Sequence, residues 1–97
     1  MQMDEAEYSS LKLKICNFIL DAYSKDPTRI RIGRSIIINN FNTSLKNAKD
    51  ILNELENANI IKIIHQAPND SNFECFWRIE VSLFGLKHIK EYTKQTN

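Results

Sequence analysis

Apolar spacing along this chain switches between a period near 3.6 and a period of 2 in one fixed order, and that order leaves few folds open. Over residues 9–25, Leu11, Ile15, Phe18, Ile19 and Ala22 recur three and four apart, the stripe of an amphipathic helix. Asp26-Pro27 ends it, because proline lacks an amide donor and pushes the preceding residue out of helical geometry. Residues 28–32 then alternate, with Ile30 and Ile32 to one side and Arg29 and Arg31 to the other, a short half-buried strand closed by Gly33. Ser35 is placed to N-cap a short helix through residue 40, whose Ile37, Ile38 and Phe41 are expected to face the core. A polar turn, Asn42, Thr43 and Ser44, leads into a longer helix over residues 45–57 that buries Ala48, Ile51, Leu52 and Leu55. Residues 60–66 are β-branched and apolar, 68–72 form a turn cluster, and 73–81 alternate with Cys75, Trp77, Ile79 and Val81 on one face, which reads as a hairpin. Ser82 caps a last helix with Leu83, Leu86 and Ile89 apolar, fraying after Lys94. The expected order is αβααββα.

That order fits one α+β domain. A chain of 97 residues buries about two thirds of its unfolded surface and needs no metal or disulfide to hold together. Residues 1–8 read as an acidic lead-in, 9–94 as the single domain and 95–97 as a frayed tail. A hydrophobic fraction of 42% is too high for disorder, there is no 18-residue apolar run, and the acidic start is unlike a signal peptide, so a soluble cytoplasmic protein is expected.

Turns are constrained by composition. The chain has two glycines and 11 asparagines. Positions needing positive φ must therefore be filled by Asn, the next most tolerant residue, and Asn42 and Asn59 are the candidates.

The formal net charge of +1 hides an uneven distribution. Residues 1–7 carry Asp4, Glu5 and Glu7 without a base. Residues 27–49 carry Arg29, Arg31, Arg34, Lys46 and Lys49 without an acid, a local +5, and Asp50, Glu54 and Glu56 follow it.

Two local patterns resemble a known family. Residues 52–61, L-N-E-L-E-N-A-N-I-I, are similar to the end of the recognition helix and exit turn of the winged helix-turn-helix proteins, commonly L-x-x-L-E-x-x-G-L-I, with Asn59 in place of glycine. Residues 79–89, I-E-V-S-L-F-G-L-K-H-I, are similar to the family's second wing strand and last helix, often Y-x-L-T-x-x-G-x-x-x-L, with Ser82 for Thr and Gly85 on the glycine. In motif style these are nearest the MarR- and PadR-like regulators. The resemblance implies a three-helix core with a small antiparallel sheet. It also implies double-stranded DNA as partner, bound by the second helix of the pair in the major groove.

Carried onto this chain, the contacting face comprises Thr43, Ser44, Lys46, Asn47, Lys49, Asp50 and Asn53, with Arg34 beside it. Lys neutralises phosphate or approaches guanine, Asn pairs bidentately with adenine, and hydroxyls at a helix start join its free N–H groups around a phosphate. The competing reading is a plain solvated helix face. Arg29 and Arg31 could extend the backbone contacts. If four or five of these cations meet phosphates, log affinity falls against log salt with a slope near ~4. The wing tip, residues 66–72, has no Lys or Arg and carries Asp70, so Asn69, Ser71 and Asn72 are secondary candidates and Lys62 and His65 weaker ones. A module this small with a neutral wing needs a homodimer reading two half-sites. The first helix and the last, with Phe84, His88 and Tyr92, are the surfaces available, the alternative for those three being packing within the monomer.

Catalysis finds no support. Cys16 and Cys75 lack metal-ligand spacing and suit reduced core positions, and His65 and His88 have no nearby ligand partner. There is no Gly-rich phosphate loop and no activated nucleophile, so neither cofactor nor metal is expected. Phe73, Phe76 and Trp77 could stack on single-stranded bases, but sheet packing is their simpler use. The leading expectation is a small DNA-binding transcriptional regulator of a prokaryotic cell or virus-infected host. The alternative is a winged-helix interaction module in plasmid or viral replication or partition machinery.

Overall fold

The structure is a computed structural model and describes residues 3–66 and 75–95. Among them the elements are α1 (Glu5–Lys25), β1 (Ile30–Gly33), a π-helical segment (Ile36–Asn40), α2 (Leu45–Asn57), β2 (Ile61–Gln66), β3 (Cys75–Val81) and α3 (Leu83–Gln95). The molecule is α+β, with helices packed on a small three-stranded antiparallel sheet ordered β1-β3-β2. The expected wing tip, with Asn69, Asp70, Ser71 and Asn72, and also Phe73, lies outside the described residues.

α1 starts earlier than its apolar stripe suggests. Asp4 is the N-cap, its Oδ1 accepting from the Glu7 N–H at 2.8 Å. Glu5 and Glu7 fill the first turn, where negative charge favours the helix dipole. The acidic stretch expected as a lead-in over residues 1–8 is thus the opening of the helix itself, because Asp and Glu are strong N-terminal residues even without apolar neighbours. At the other end the Asp26 carboxylate accepts from both the Thr28 hydroxyl and the Thr28 amide, and these bonds hold its carboxyl below the usual carboxylate range.

The core gathers Leu11, Ile15, Cys16 and Ile19 from α1, Ala48, Ile51, Leu52 and Leu55 from α2, and Ile30, Ile32, Trp77 and Ile79 from the sheet. Ile89 closes it from α3, and each large side chain removed from water contributes about 1.5–3 kcal/mol. Trp77 is therefore core, opposite Ile32 in the register, and not a platform for bases.

The short helix expected from residue 35 differs in kind. Phe41 N–H bonds to the Ile36 carbonyl five residues back at 3.0 Å, a π turn. Ser35 is itself helical and makes no side-chain cap bond. The wider winding keeps Ile37 and Phe41 inward, Phe41 meeting Phe18 edge-on at 5.7 Å, and leaves Ile38 55% exposed where a core residue was expected.

Both predicted left-handed asparagines are found, Asn42 at φ 51° and Asn59 at φ 63°. Asn59 ends α2, and its carbonyl accepts from the Ser82 hydroxyl at 3.3 Å. Ser82 caps α3 as expected, its Oγ accepting from the Gly85 N–H at 2.8 Å. Gly85 packs directly on the Ile60 backbone, where a Cβ would stand 1.8 Å from the carbonyl oxygen. With Gly85 and Ile89 inward, Leu83 falls on the opposite side of the helix, 82% exposed, which corrects its expected place on the apolar face. No helix among the described residues is long and apolar enough to cross a membrane.

Candidate nucleic-acid interface

α2 presents the face the sequence singled out. Ser44 precedes it in extended geometry, and its Oγ accepts from the Asn47 N–H at 3.1 Å, so this hydroxyl serves the helix first. The left-handed Asn42 turns the chain between the π-helical segment and α2. Thr43 is held there by its N–H to the Ile37 carbonyl at 3.2 Å. Lys46, Asp50 and Asn53 are exposed, while Asn47 and Lys49 are half-buried along the flank.

Lys46 and Asp50 are not independent groups. Lys46 Nζ lies 3.1 Å from Asp50 Oδ2, an exposed pair one helical turn apart. Such pairs contribute about 0.3–0.5 kcal/mol, so a phosphate can readily replace the carboxylate. Asp50, expected on the contacting face, is thus paired with Lys46. Arg34 follows β1 and is exposed.

The structure adds residues from α1 to this end of the molecule. A groove of about 330 Å³ separates α1 from the start of α2, with Glu7, Ser10 and Lys14 on one wall and Asn42, Thr43 and Asn47 on the other. Glu7 and Lys14 are two turns apart on one helix face, so the groove is acidic at one end and basic at the other. Sequence reading missed both, since 29 positions separate Lys14 from Thr43 and no local pattern joins them.

α2 is oriented by a polar cluster drawn from all three α-helices. The Tyr8 hydroxyl donates to the Glu54 carboxylate. Lys12 Nζ stands 3.8 Å from Glu54 Oε1, 4.9 Å from the Tyr92 ring centroid and 5.9 Å from that of Tyr8. A cation between two aromatic faces and a carboxylate is a favourable arrangement when, as here, the lysine side chain is only 16% exposed. Burial raises the Tyr8 pKa, and the hydrogen bond to Glu54 raises it further, so the hydroxyl stays a donor. Burial likewise raises that of Tyr92. Glu56 anchors the far end of α2, accepting from the Ile63 N–H at 2.8 Å.

The other expected cations lie on the sheet or at its edge, Arg29 in the loop just before β1. Arg29 is 3.8 Å from Asp26, and Arg31 is exposed on β1. Lys62 is exposed opposite Glu80 on β3. His65 pairs in register with Arg78, which sequence reading did not consider.

On α3, Phe84 is 64% exposed, His88 half-buried, and Tyr92 is packed within the monomer against Lys12. A second groove, about 730 Å³, runs between α1 and α3 past Leu20, Tyr23, Pro27 and Leu86.

No family model, no curated protein and no solved structure matches this chain.

Proposed function

We propose that this chain is a winged helix-turn-helix domain that binds double-stranded DNA with α2 in the major groove. It acts as a homodimer and serves as a small transcriptional regulator in the cytoplasm of a prokaryotic cell or of a virus-infected host cell. One observation carries the reading: a capped helix follows a left-handed turn and carries Lys46 and Asn53 on its outward side with Asn47 and Lys49 along its flanks, over a fully apolar inner face. The order β1-β3-β2, with β2 and β3 consecutive in the chain, supports the same fold.

In this reading Lys46 and Lys49 neutralise phosphates, with Asp50 released as Lys46 changes partner. Asn47 and Asn53 meet base edges, and Thr43, Ser44 and Arg34 hold the flanking backbone. Dimerisation uses α1 and α3, where Leu83 and Phe84 expose apolar surface.

Fluorescence anisotropy on pooled duplex fragments across a salt series tests the proposal. The wild type binds with a steep salt slope, and Lys46→Ala with Lys49→Ala flattens that slope by about two units. Absence of binding even at low salt refutes it.

The same exposed Leu83 and Phe84 favour a second reading, a winged-helix module that docks on another protein of a replication or partition assembly. Sedimentation separates the two: a concentration-dependent dimer supports the regulator, and a monomer at tens of micromolar supports the module.

A further inference from the structure

The antiparallel register places Arg31 of β1 directly opposite Arg78 of β3, and both are exposed on the face of the sheet turned away from the core. Their neighbours Ile30, Ile32, Trp77 and Ile79 point the other way and are buried, so the position of the two arginines on the outer face is fixed by the core itself. Like charges at directly opposed positions destabilise a sheet, and alternative pairings are blocked because a one-residue slip would expose the buried row.

The neighbouring acids do not relieve the pair. Among the described residues neither Arg31 nor Arg78 has a carboxylate within ion-pair distance, whereas Arg29 has Asp26 and Lys46 has Asp50. Glu80, the next residue of β3 on that face, stands opposite Lys62 in the register. Among the described residues Arg78 has a neutral partner, its Nη2 donating to the Thr28 carbonyl just ahead of β1 at 3.3 Å, which draws the guanidinium to the β1 side of the sheet without neutralising it.

We propose that Arg31 and Arg78 form an anion site on the outer face of the sheet that takes a phosphate group, each guanidinium offering its planar fork to the phosphate oxygens. Guanidinium matches phosphate bidentately in a way that ammonium does not, and a shared phosphate anion offsets the repulsion between the two cations. The site is separate from α2 and stands whether or not α2 reads DNA. Its phosphate can be a free or small-molecule phosphate or the backbone of a nucleic acid.

Thermal unfolding of the full chain tests it with inorganic phosphate against chloride at matched ionic strength. Phosphate filling the site to tenfold over its Kd raises the wild-type Tm by about 7 °C beyond its general salt effect. Arg31→Gln and Arg78→Gln lose that increment, Arg31→Lys loses most of it, and Arg31→Gln, which breaks no bond to Thr28, melts higher than wild type in chloride because the repulsion is gone. A second arm titrates a short duplex: if the site takes a nucleic-acid backbone, Arg78→Gln weakens binding several-fold and reduces the salt slope by about one. If the duplex ignores Arg78 while the phosphate increment persists, the ligand is a small phosphate. Equal phosphate increments in wild type and all three variants overturn the site. Failure of duplex binding in the wild type, with the phosphate increment intact, overturns only the DNA reading of α2.

Discussion

The Tyr8 hydroxyl and the Glu54 carboxylate meet across 46 positions of sequence, joining the first turns of α1 to the middle of α2. Lys12 completes the contact beside the same carboxylate, so the rotation of α2 about its own axis is set by groups from outside it. Tyr8→Phe removes the donor and keeps the ring over Lys12. It is expected to cost about 1.5 kcal/mol, the lower end for a bond to a charged acceptor, because the site is partly exposed. Urea denaturation reads it, and an unchanged midpoint would show that the bond contributes nothing to stability.

Cys16 makes stability pH-dependent at the alkaline end. It is completely buried, and burial pushes its thiol from 9.0 up to about 11, against a smaller opposing pull from Lys12. The unfolded chain ionises first as pH rises, so this contribution is whole below pH 9 and is lost as pH climbs toward 11, about 2–3 kcal/mol in all. The hydroxyls of Tyr8 and Tyr92, both raised, act in the same sense at higher pH. Cys16→Ala should therefore start less stable, from the cavity it leaves, yet decline less between pH 9 and 11 than wild type. Parallel curves would contradict this assignment.

Gly85→Ala sets two effects against each other. Alanine favours a helix by about 1 kcal/mol over glycine. Its Cβ would stand 1.8 Å from the Ile60 carbonyl oxygen, a backbone atom that cannot swing aside, and overpacking of this kind costs about 1–3 kcal/mol or more. The clash should win, and a variant more stable than wild type in calorimetry would refute the close approach.

Asn47→Ala separates base reading from backbone contact. The Asn47 amide N–H caps onto Ser44 and survives the change, so α2 keeps its start. The expected result is relaxed preference at one or two base positions with non-specific affinity nearly intact, read by anisotropy on a panel of single-substitution duplexes. Uniform loss on every sequence would make Asn47 a backbone contact.

Much of the architecture was readable without coordinates because each element carries its own local signal. The stripe of α2 is complete within thirteen residues, and Ser82 caps α3 as its chemistry suggests, whereas Ser35 is already helical and makes no cap bond. Asn42 and Asn59 were identifiable because two glycines cannot supply every left-handed turn. Where the local signals are weak or compete, the structure differs from what they suggest. Apolar spacing starts α1 too late because its first turn is stabilised by charge. Ile38 and Leu83 are exposed although apolar, because apolarity does not say which way a π turn or a first helical turn will face.

Local chemistry thus settled which segments are helix or strand, where the chain turns, and that residues 27–49 are basic, since capping, φ preference and charge are properties of neighbours in sequence. Folding alone decided that Lys14 shares a groove with Asn47, that Glu54 is held by Tyr8 and Lys12, and that Arg31 faces Arg78. These meetings depend on how helices cross and which register the strands adopt. Both are set by the packing of the whole core, which no short window of sequence contains.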